Sequence, residues 1–68
     1  MLRLRTIRER KGVSLRALKT ASGVAVSSLA RFEAGQGDPQ LSTLRKLAKA
    51  LNVTVAELIG EWPLKKGN

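Results

Sequence analysis

Apolar residues recur along the 68-residue chain at three- and four-residue intervals, without the sustained alternation that a half-buried strand requires. Leu4 and Ile7 predict a first helix over residues 2–11, with Gly12 as its left-handed stop. Ser14 has the chemistry of an N-cap, and Leu15 and Leu18 face inward along a second helix that ends near Ser22 and Gly23. A third helix over residues 25–34 turns Leu29 and Phe32 inward and stops at Gly35. After the loop GQGDPQ, Asp38 and Pro39 fit the N-cap and first-turn proline of a fourth helix. Its Leu41, Leu44, Leu47, Ala48 and Leu51 form an unbroken apolar stripe, closed by Asn52. Thr54 and Glu57 have capping-box spacing, and Val53 and Leu58 are placed as the accompanying hydrophobic staple, so a short fifth helix reaches about Ile59. The pattern therefore predicts an all-α, compact five-helix bundle over residues 1–60, followed by a C-terminal tail at 61–68 that offers a dimer contact.

Composition narrows what such a bundle can do. The chain has neither Cys nor His, so disulfides and the usual zinc sites are excluded and packing must stabilise the fold. No apolar run approaches the roughly 20 residues that cross a bilayer, no secretory h-region follows the basic N-terminus, and a cytoplasmic address is expected. Lys and Arg number 13 against five acidic residues, a formal charge of +8, which favours a polyanionic partner such as nucleic acid or anionic lipid. The excess is uneven: Arg3, Arg5, Arg8, Arg10, Lys11, Arg16 and Lys19 crowd the first helices, opposed there only by Glu9, and Arg45, Lys46 and Lys49 share a later one.

Gly23 gives this charge a direction. A helix of about eight residues, a tight turn and a second helix, with Leu18, Val24, Leu29 and Phe32 facing one another, is the spacing of a helix-turn-helix unit. The outward positions of its second helix are Val26, Ser27, Ala30 and Arg31. These are small or hydrogen-bonding side chains with one long basic reach, suited to a groove about 12 Å wide. Arg31 can bond guanine bidentately or merely touch phosphate. Ser27 can donate to a base edge or act as filler, Val26 offers contact to a thymine methyl, and Ala30 permits close approach. The N-terminus of the second helix, at the Ser14 and Leu15 amides and the Ser14 hydroxyl, is a ready anion site. Arg8 and Glu33 each continue an inward face, where a lone charge would be expensive, and are expected to pair; the alternative leaves both at the surface.

Taken together, LRTIRERKGVS, SGVAVSSLARFEAGQGDP and LSTLRKLAKALNVTVAELIG resemble the phage-repressor and Cro-like (XRE) helix-turn-helix DNA-binding domains, over nearly the whole of residues 2–60. The resemblance implies five helices, the second and third forming the motif and the third lying in the major groove. It implies further phosphate contacts at Gln36 and Gly37 and from Arg3, Arg10, Lys19 and Arg45. An Arg and a Glu at the positions of Arg8 and Glu33 belong to the same pattern, which supports their pairing. Lys19 and Ser22 depart from it and predict a weaker contact between the two motif helices; Ala25 stands where a capping Ser or Thr is usual.

By resemblance, the protein is a sequence-specific binder of double-stranded operator DNA, a bacterial or phage-encoded regulator of the repressor kind that acts as a homodimer. Val55, Ile59, Trp62 and Leu64 are the candidates for the dimer contact, although Trp62 could equally fold over its own core. The competing reading is an antitoxin or adaptor that uses the same fold to mask a protein partner. Neither reading calls for a cofactor or a membrane. Catalysis is remote, because the chain holds no His, no Cys and no clustered carboxylates.

Overall fold

A computed structural model of the protein describes residues 2–60. Five helices follow one another: α1 (Leu4–Arg10), α2 (Leu15–Ser22), α3 (Val26–Glu33), α4 (Leu41–Leu51) and α5 (Val55–Ile59), with no strand among the described residues. Leu4, Ile7, Leu18, Leu29, Leu47, Leu51 and Leu58 supply one buried side chain or more from every helix to a single core, joined by Ala48. No polar or charged residue among those described is fully buried. α2 packs on both α3 and α4, and α1 bridges α3 and α5, so the bundle closes on itself. The Arg3 amide, just ahead of α1, donates to the Leu58 carbonyl at 2.8 Å and ties the start of the chain to α5.

Most predicted boundaries are met within two residues, the usual fraying range of helix ends. Ser14 caps α2, its hydroxyl oxygen accepting from the Ala17 amide at 3.0 Å. Gly23 closes that helix at φ 79, a left-handed conformation that side chains with a Cβ resist. Asn52 ends α4 the same way at φ 57. At α5 the capping box is complete: Glu57 N–H donates to Thr54 Oγ1 at 3.0 Å, and Thr54 N–H donates back to the Glu57 carboxylate at 2.8 Å.

Two expectations for α4 need correcting. Asp38 and Pro39 do not open the helix. Gln40 is its N-cap, extended at ψ 161 and without a side-chain cap bond, and helical geometry begins at Leu41. An extended residue advances the chain by about 3.3 Å, against 1.5 Å in a helix. Keeping Pro39 and Gln40 out of the helix lets the loop span from α3 and still lay Leu47 and Leu51 on the core. The apolar stripe also loses its first member, because Leu41 is 56% exposed: the first turn overhangs the core, and burial begins at Leu44.

The departures in the motif resolve locally. Lys19 lies exposed, so it does not enter the α2–α3 contact. Ser22 Oγ donates to the Leu18 carbonyl at 2.7 Å and accepts from the Val24 amide at 3.1 Å, bridging the turn with hydrogen bonds where an apolar residue would have packed. Ala25, as its chemistry requires, gives α3 no side-chain cap.

Candidate nucleic-acid interface

The outer face of α3 is built by subtraction. Leu29 is fully buried and Ser28, Phe32 and Glu33 are half-buried, which leaves Val26, Ser27, Ala30 and Arg31 as the exposed positions. At 1.5 Å per residue they run about 7.5 Å along the axis, the rise of about two base pairs. Val26 keeps 37% of its surface in contact with solvent, one of two large apolar side chains left exposed among the described residues, the other being Leu41. An uncapped N-terminus suits such a face, since no cap side chain stands in front of it.

Flanking elements converge on this face. Leu15, from the first turn of α2, lines a cleft of about 300 Å³ together with Ala30 and Ala34 of the α3 end and with Arg5, Arg8 and Glu33. The N-terminus of α2 and the outer face of α3 therefore share one side of the molecule. With the Ser14 hydroxyl oxygen engaged by Ala17, the first-turn amides of Leu15 and Arg16 are the α2 donors directed outward. At the other end of α3 the loop turns back on the helix: the Gln36 amide donates to the Arg31 carbonyl at 2.8 Å, and Gly37 sits at φ 75. The Arg31 guanidinium lies against Gly37, close enough that a methyl group there would meet Nη2 at 3.7 Å. A base-reading candidate and a phosphate-contact candidate are thus neighbours, a link that no spacing rule in the sequence reveals.

Arg3, Arg10, Lys19 and Arg45 are all exposed. Arg5, which the sequence leaves without a role, pairs with Glu9 at 3.1 Å, an exposed i, i+4 pair of small energetic weight. That pair occupies the one acidic residue set against the N-terminal basic cluster.

Arg8 and Glu33 meet in a forked ion pair: Arg8 Nε donates to Glu33 at 2.7 Å and Nη2 to its second oxygen at 3.1 Å, with side chains 13% and 9% exposed. The third reach of the guanidinium, Nη1 to the Val13 carbonyl at 2.8 Å, is a bond the sequence could not announce, because any residue supplies a carbonyl. One arginine therefore holds α1, the α1–α2 turn and the end of α3. The Glu33 hydrogen bond raises the already high pKa of Arg8 against the opposing effect of burial. Of the dimer candidates, Val55 is half-buried against the chain's own core, Ile59 is half-buried, and Trp62 and Leu64 lie outside the described residues.

A two-helix unit locked by a left-handed glycine, with its second helix presenting a small and basic outer face, defines a domain of the helix-turn-helix class, which binds DNA and is not enzymatic. The helix-turn-helix family model matches residues 4–58, and the chain belongs to that family. It is similar to an HTH-type transcriptional regulator of Haemophilus influenzae, 45% identical over 51 residues, covering 75% of this chain and 52% of that protein. The HTH-type transcriptional regulator DdrOP3 of Deinococcus deserti is 35% identical over 57 residues, 84% of this chain and 44% of that one. The phage CTXphi transcriptional repressor RstR of Vibrio cholerae is 38% identical over 40 residues, 59% of this chain and 36% of the relative. The matched segments thus span about half or less of each of these relatives.

Proposed function

We propose that this domain is a transcriptional regulator of the repressor kind, which reads double-stranded DNA by laying α3 in the major groove. The observation that carries the reading is the α3 face: Val26, Ser27, Ala30 and Arg31 are exposed together on the helix after the turn. Arg31 is assigned to the edge of a guanine, Val26 to a thymine methyl, Ser27 to a base or phosphate, and Ala30 to close approach. The α2 N-terminus at Ser14 and Leu15, the loop at Gln36 and Gly37, and Arg3, Arg10, Lys19 and Arg45 are assigned to the phosphates, which orient the domain without reading sequence. Similarity to named regulators and repressors supports the regulatory role. The working unit is a homodimer in the cytoplasm, its two α3 helices about 34 Å apart on successive major grooves.

The test is selection of binding sites from a random duplex pool at about 150 mM salt, a concentration that screens exposed charges beyond a Debye length of about 8 Å. The expected result is a two-fold symmetric motif with half-sites about ten base pairs apart. Recovery of no motif, with binding that vanishes as salt rises, would overturn sequence-specific regulation and leave the adaptor reading in its place.

A further inference from the structure

On the flank of the bundle, the end of α3, the α3–α4 loop, α4 and the last residue of α5 enclose a groove of about 650 Å³. Its walls are Leu2, Phe32, Leu44 and Ile59, all half-buried, with Gly35, Gly37, Asp38 and Pro39 from the loop. That volume falls within the range of about 300–1,000 Å³ typical of clefts that hold a ligand. Ile59, half-buried, forms the wall of the groove from which the chain continues into the segment after α5.

We propose that this groove is the docking site of the chain's own segment after α5, with Trp62 seated among Phe32, Leu44 and Ile59. Three observations choose this occupant. Trp62 is only three residues beyond Ile59, so its Cα lies within about 10 Å of that wall at full extension. The chain leaves α5 through Gly60 at φ 78, a conformation glycine adopts freely and one that breaks the helix before Trp62. The wall carries a single carboxylate, Asp38, and the segment, although Glu61 precedes Trp62, carries Lys65 and Lys66 three and four residues after it, a basic excess among its side chains. A tethered segment this short acts at an effective concentration in the millimolar range, whereas a second copy must associate from dilute solution. An indole buries about 150–250 Å² when covered, a large apolar area for one side chain of so short a segment.

The docked tail buttresses the loop that bears Gln36 and Gly37. This consequence for DNA rests on the function proposed above; the docking itself does not.

Fluorescence of the full 68-residue chain tests the docking directly, because Trp62 is its one tryptophan and it has no tyrosine. Native emission is expected to be blue-shifted from that of the denatured chain, resistant to acrylamide, and unchanged on hundredfold dilution. Ile59→Ser is expected to return the emission toward the denatured value while circular dichroism holds. Should that variant unfold, nuclear Overhauser contacts from the indole protons to the Leu44 and Ile59 methyl groups of the unaltered chain decide the same question. Solvent-like native emission overturns the proposal. A blue shift lost on dilution assigns the groove to a second copy, and one that Ile59→Ser leaves intact assigns Trp62 to another surface; either result overturns it too. Trp62→Gly is expected to weaken matched and random duplexes alike by severalfold, and an unchanged affinity would overturn the buttress. Absence of all DNA binding would sink the proposed function and leave the fluorescence result standing.

Discussion

Arg31 and Arg8 show how one residue type serves opposite ends. Arg31 is exposed, lies against bare backbone at Gly37 and makes no ion pair among the described residues, so its guanidinium is available to a ligand. Arg31→Ala is expected to lose discrimination between matched and random duplexes by about 1–3 kcal/mol, one bidentate base contact, while Gln36→Ala weakens both equally. Competition binding with the two duplexes separates them, and equal loss for Arg31→Ala would refute its role as a base reader. Arg8 is spent inside the molecule. Glu33→Gln strands most of its charge, and a loss of about 3 kcal/mol is expected, at the lower end for a buried pair because a tenth of each side chain still meets water. Urea titration measures this, with a drop in Tm of about 4–8 °C per kcal/mol as the calorimetric counterpart. Both arginines were legible as candidates from spacing alone. What spacing could not supply was the third bond of Arg8, to the Val13 carbonyl, or the loop beside Arg31, since backbone groups carry no sequence signature.

Several helix ends are delimited by chemistry that acts within four residues, which is why the elements were largely readable. Ser14, Gly23, Asn52 and the Thr54–Glu57 box all do what their side chains and neighbours dictate. Asp38-Pro39 misled because the same dipeptide serves a loop as well as a helix start, and the choice depends on how far the chain must travel to α4. The capping box also makes α5 sensitive to acid. Hydrogen bonds first from the Thr54 amide and then from its hydroxyl hold the Glu57 pKa below the usual carboxylate value. A depressed folded-state pKa means that the contribution is present in full above the unfolded value and is lost as pH falls through the folded one. Glu57→Gln is therefore expected to lower Tm modestly at pH 7, where the carboxylate contribution is present, and to flatten the dependence of Tm on pH below about 4.3, the reference glutamate value, so that the two proteins converge in acid. Parallel melts of the two proteins across pH 2.5–7, a span of about two units either side of that reference, would refute the assignment if their slopes matched.

At the scale of the whole molecule, a charge of +8 on so small a domain gives DNA binding a steep dependence on salt. The slope of log K against log salt is expected to fall by about 0.9 in magnitude for Arg10→Ala and to stay unchanged for Arg31→Ala, if the first meets phosphate and the second a base. Titrations at several salt concentrations measure it, and an unchanged slope for Arg10→Ala would remove that residue from the interface. The core sets the other limit. Leu47→Ala, at a fully buried position, is expected to cost about 2–5 kcal/mol, a large part of what a domain of this size has in reserve. By itself the sequence determined the five helices, the caps of α2 and α5 and the Asn52 end of α4, the helix-turn-helix pairing, the outward set on α3 and the Arg8–Glu33 partnership, because periodicity, capping and the penalty on a lone inward charge are local or pairwise rules. Only the tertiary structure decided that α4 starts two residues late with Leu41 uncovered, that Leu15 and Ala30 share a cleft, that Gly37 lies beside Arg31, and that a groove opens next to Ile59. Those depend on how far a loop must reach and on which side chains from distant helices fill the same space, and neither is encoded in the spacing of any single segment.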